Sequence, residues 1–75
     1  MTSDSKEPLV RFTVNLIAKA AEALDHAAAL SRESKTDTAN RAIQLYDFFM
    51  EQQARGAKIY LRHQGSDELE MVRIL

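Results

Sequence analysis

Arg11, Thr13 and Asn15 occupy every second position of Leu9-Val10-Arg11-Phe12-Thr13-Val14-Asn15-Leu16, so an extended chain points all three the same way. Each can read a base edge. A guanidinium donates two hydrogen bonds to guanine O6 and N7, a carboxamide pairs with adenine, and threonine offers a hydroxyl and a methyl. As an isolated triplet the row reads first as a solvated strand face. A second candidate is Ser34-Lys35-Thr36, where two hydroxyls and an ammonium stand just before a helical run. Free N–H groups and the dipole at a helix start attract a phosphate oxygen, although the same residues also make an ordinary helix cap.

Catalysis finds no footing. His26 and His63 are isolated, the acids are spread as helix and turn charges, and there is no glycine-rich phosphate loop. With no nucleophile, base and orienting group in sight, no catalytic residue is expected. Cysteine is absent, which removes thiolate chemistry and disulfides, and neither histidine has metal-ligand spacing to a second one. Neither a metal nor a cofactor is expected. Tyr46 and the Phe48-Phe49 pair read as core or interface rather than as a platform for stacked bases.

The candidate residues need elements to position them. Val10, Phe12, Val14 and Leu16 alternate with the polar row, which predicts a half-buried strand over 9–16. Nothing nearby supplies a second strand, and a lone strand leaves its backbone groups unpaired. From Ile17 the period changes: Ile17, Ala20, Ala21, Leu24, Ala27 and Ala28 recur at helical spacing, predicting a first helix over 17–31 with no obvious cap at its start. A second helix is predicted over 35–55, capped by Ser34 or by Thr36 and stopped by Gly56. Ala39, Ala42, Ile43, Tyr46, Phe49 and Met50 share one face of it, with Leu45 and Phe48 as a second apolar flank. That is more apolar surface than an alanine-lined helix and one strand can cover.

Residues 58–62 and 69–75 read as two short strands around His63-Gln64-Gly65-Ser66-Asp67, a β-hairpin extension over 56–75. Residues 1–8 have the composition of a flexible arm, and Pro8 biases its neighbour towards extended geometry. At 75 residues without cysteine, oligomerisation is the remaining way to complete a core. The polar start, the lack of a long apolar run and the cysteine usage suit a cytoplasmic chain that does not enter a membrane. A formal charge of −1 gives no overall basic signature of a nucleic-acid binder.

Strand, helix of about four turns, short polar turn, then a second helix beginning Ser34-Lys35-Thr36-Asp37 is the order that resembles the ribbon-helix-helix family of DNA-binding proteins, the MetJ and Arc class. The resemblance covers residues 9 to about 54. It implies a mainly α fold with a short β-ribbon, an intertwined homodimer in which the strand pairs with its two-fold mate and the four helices share one core. It implies that Arg11, Thr13 and Asn15 read bases of double-stranded DNA, that Ser34, Lys35 and Thr36 hold a phosphate, and that the protein is a transcriptional regulator, a repressor. Many members carry glycine in the inter-helix turn where Arg32 stands, and a non-glycine residue held left-handed there is strained by roughly 1 kcal/mol. The competing expectation is a protein–protein module, an antitoxin or adaptor, that recruits a protein partner through residues 57–75, which the family core does not require.

Overall fold

Two helices and a hairpin follow one another in the computed structural model, which describes residues 8–74: α1 (Ala18–Ser31), α2 (Lys35–Ala54), β1 (Ile59–Leu61) and β2 (Glu70–Val72). Of the expected N-terminal arm only Pro8 falls within the described residues.

α1 begins as its composition suggests, with alanine propensity rather than a cap. Ile17 is the N-cap in extended geometry and makes no side-chain cap bond; its carbonyl accepts from the Ala21 N–H at 3.0 Å. The helix ends on Arg32, whose φ of 60° and ψ of 37° are left-handed. Its N–H and that of Glu33 both donate to the Ala28 carbonyl, the latter at 3.1 Å, closing the helix in a Schellman arrangement. The glycine geometry is therefore kept with an arginine in it, at a cost of about 1 kcal/mol.

Ser34 rather than Thr36 caps α2. Its Oγ accepts from the Asp37 N–H at 3.0 Å, while its carbonyl accepts from the Thr38 N–H at 2.9 Å and the Thr38 hydroxyl at 2.8 Å. The far end is a second Schellman closure. Gly56, at φ 89°, donates to the Gln53 carbonyl, and the Ala57 N–H reaches the Gln52 carbonyl at 3.0 Å. Both helices match the predicted ranges to within one residue, the usual uncertainty of a helix end.

β1 and β2 pair antiparallel, with Ile59 opposite Val72, Tyr60 opposite Met71 and Leu61 opposite Glu70. The strands are shorter than the predicted runs. The Ser66 N–H closes a turn on the His63 carbonyl at 3.0 Å with Gly65 at φ 85°, the positive φ that the third position of a type II turn requires. The Ser66 hydroxyl then accepts from the Glu68 N–H at 3.1 Å.

The strand expected over 9–16 is not formed as a paired element: residues 8–17 have no regular secondary structure, and the sheet contains β1 and β2 alone. The reason is the one the sequence raises, since a ladder needs a partner and the described residues supply none. α1 packs on α2, with Ala20, Ala21, Leu24 and Ala28 of the predicted stripe half-buried. Among the described residues no hydrophobic side chain is buried; the one buried residue is Thr38. Neither hairpin strand comes within 8 Å, Cα to Cα, of either helix. The radius of gyration is 15.1 Å, against about 11 Å for a compact domain of this length.

Candidate nucleic-acid interface

The two groups of candidate residues sit on different kinds of scaffold. Ser34, Lys35 and Thr36 are fixed by the start of α2, where the Ser34 hydroxyl satisfies one amide. The N–H groups of Lys35 and Thr36, at the first two helical positions, have no intrahelical acceptor and point outward with the positive end of the dipole. That is the geometry of an anion site. Arg11, Thr13 and Asn15 lie instead on the irregular segment before α1 and are all exposed. Their apolar neighbours are exposed too, with Val10 at 87% and Phe12 at 79%, so burial in one chain does not separate the two rows. Among the described residues no hydrogen bond or ion pair joins the ribbon candidates to the start of α2.

Local charges qualify the anion site. Lys35 Nζ lies 3.0 Å from Asp25 Oδ1 of α1, with both side chains mostly exposed. A surface pair of this kind contributes no more than about 1 kcal/mol, so an incoming phosphate competes with Asp25 for the ammonium rather than finding it free. Asp37, in the first turn, suits the dipole but repels a second anion. Glu33 is held apart from Lys35 by a fork to Arg41: Arg41 Nη2 donates to Glu33 Oε2 at 2.7 Å and Nε donates to Oε1 at 3.2 Å. This two-pronged pair ties the turn to the second turn of α2 and fixes where Arg32 and Ser34 stand. With Glu33 neutralised, Arg32 remains an exposed cation beside Ser34 that enters no salt bridge among the described residues.

Sequence reasoning missed Asp25 and the Glu33–Arg41 fork. A signal for the first was present, because opposite charges on either side of a short turn between two packed helices can face each other. The fork spans eight residues and follows only once the left-handed Arg32 sets the direction of α2. A shallow groove of about 210 Å³ lies between the helices, lined by Ala27, Ser31, Glu33, Thr38, Arg41, Ala42 and Leu45. Phe48 and Phe49 form a tilted pair with ring centroids 5.7 Å apart; Phe49 is half-buried and Phe48 exposed.

Among the described residues no group of acidic or histidine side chains is placed to hold a metal ion, and no helix is long and apolar enough to cross a membrane. No family model, no curated protein and no solved structure matches the chain.

Proposed function

We propose that this chain is a homodimeric, sequence-specific DNA-binding regulator of the ribbon-helix-helix kind, acting in the cytoplasm as a transcriptional repressor. The observation that carries the reading is the combination of an unpaired segment whose sequence alternates like a strand with the absence of any buried hydrophobic side chain among the described residues. A second copy answers both needs together. Its strand would pair with residues 9–16 across a two-fold axis, and its helices would cover Ile43, Leu45, Tyr46 and Phe48, all exposed in one chain. The ribbon then turns Val10, Phe12, Val14 and Leu16 inward and offers Arg11, Thr13 and Asn15, doubled, to the major groove. Ser34, Lys35 and Thr36 hold the flanking phosphate, with Lys35 exchanging Asp25 for a phosphate oxygen. The repressor assignment follows from the resemblance.

The test is binding of labelled promoter and genomic fragments at several salt concentrations. Arg11→Ala is expected to lose about 1–3 kcal/mol of discrimination between preferred and random DNA. Lys35→Ala weakens both and flattens the salt slope by about one per protomer. Absence of salt-sensitive binding to any fragment rejects the proposal.

A second reading, a protein-interaction module of the antitoxin or adaptor type, is favoured by the hairpin, whose strands have no Cα within 8 Å of either helix and whose outer edges pair with no other strand among the described residues. Removing residues 57–75 should leave DNA binding intact under this reading while releasing a co-purifying protein.

A further inference from the structure

The hairpin sorts its side chains by charge. The register sets Ile59, Leu61, Glu70 and Val72 on one face and Tyr60 and Met71 on the other. Continued one residue outward it adds Lys58, Arg62, Leu69 and Arg73 to the second face, with Lys58 across from Arg73. Ile59, Val72 and Ile74 of the first face are half-covered, Leu61 and Glu70 of that face are exposed, and every residue of the second face, Lys58, Tyr60, Arg62, Leu69, Met71 and Arg73, is exposed. None of the three cations enters a salt bridge among the described residues. The nearby acids are elsewhere, Glu70 on the opposite face and Asp67 and Glu68 in the loop. Like charges across a strand pair repel, and no salt bridge among the described residues offsets them.

We propose that this outward face docks an acidic, extended segment of another protein, added as a third strand along the free edge of β1. Lys58, Tyr60 and Arg62 alternate on that face, so the added strand presents an acid, an apolar side chain and an acid at every second position, each beside its counterpart. The backbone of β1 supplies the hydrogen bonds, because its outer edge pairs with no strand among the described residues. The apolar surface of Tyr60, Met71 and Leu69 between the cations suits a peptide better than a phosphate chain. Duplex DNA held at the start of α2 is a poor occupant, because that start is about 30 Å, the length of the 20-residue helix, from the end that leads into the hairpin. The docking does not rest on DNA binding.

The experiment titrates the full chain into a fluorescein-labelled peptide containing Glu-Ser-Val-Ser-Glu and follows anisotropy at low salt. The controls are the Lys-Ser-Val-Ser-Lys peptide, a scrambled peptide of the same composition as the first, and a short single-stranded oligonucleotide. The acidic alternating peptide is expected to bind best and to shift backbone amides of β1 rather than β2 in NMR spectra. Lys58→Glu with Arg62→Glu should weaken it about tenfold, and Lys58→Ser with Arg62→Ser by less, with far-UV circular dichroism and binding of promoter fragments unchanged. Equal binding of the scrambled peptide, tighter binding of the oligonucleotide, shifts confined to β2, or no binding of the acidic peptide each overturns the docking. DNA binding is measured in parallel, so its loss in every protein, wild type included, would reject the repressor reading and leave the docking standing.

Discussion

Replacing Phe12 by alanine should dissociate the proposed dimer without disturbing either helix. The ring is 79% exposed in one chain, so nearly all of its burial would come from the partner. Truncating a fully buried phenylalanine costs about 3–5 kcal/mol, and scaling by the exposed fraction leaves about 3 kcal/mol per protomer. Two copies change per dimer. The expected loss is therefore about 6 kcal/mol, or roughly four orders of magnitude in the dimer dissociation constant. Arg11→Thr is the matched control, being on the same segment in the alternate row and retaining a good strand former; its effect should stay within about 0.5 kcal/mol. Sedimentation equilibrium gives the constant, and urea unfolding at several protein concentrations gives a midpoint that rises with concentration if folding and association are coupled. The reasoning fails if the wild-type chain is a monomer that unfolds cooperatively at a concentration-independent midpoint. It fails equally if Phe12→Ala and Arg11→Thr shift the dimer constant alike.

Two local changes test the helix ends. Ser34→Ala removes the acceptor of the Asp37 N–H and should cost about 1 kcal/mol of stability in thermal or urea unfolding. Ser34→Asp should restore most of that stability while weakening DNA binding, because the new carboxylate faces the phosphate; recovery of both would refute the phosphate role. Gly56→Ala places a side chain at φ 89° with no neighbouring atom within 4 Å, so the loss of about 1 kcal/mol is purely conformational. A neutral result in urea unfolding would show that the end of α2 frays.

The helices were legible because their signals are local. Alanine spacing drew α1, and Ser34 with Asp37 three residues on drew the start of α2. Gly56 marked its end, and Gly65 marked the hairpin turn. The alternation over 9–16 was equally plain as a pattern, yet it forms no ladder in a single chain, since pairing depends on a partner that periodicity cannot supply. The Lys35–Asp25 and Glu33–Arg41 pairs were not legible, because each depends on how two helices are turned against each other. Arg32 misled in part. It marked a strained position in place of glycine, but two hydrogen bonds to the Ala28 carbonyl and the fork next to it hold the left-handed turn despite the strain.

That corner has a kinetic meaning. From Asp25 to Arg41 it is closed by contacts between residues no more than ten apart: the Schellman bonds, the Ser34 cap, the Glu33–Arg41 fork and the Lys35–Asp25 pair. Such contacts carry little loop-closure entropy and form on the microsecond scale, far sooner than two chains meet in dilute solution. An arginine at the left-handed position also leaves the unfolded chain fewer conformations to search than glycine would. The bend between the helices is thus a step completed alone, ahead of any encounter, and whatever later covers the apolar faces arrives at a bend already set.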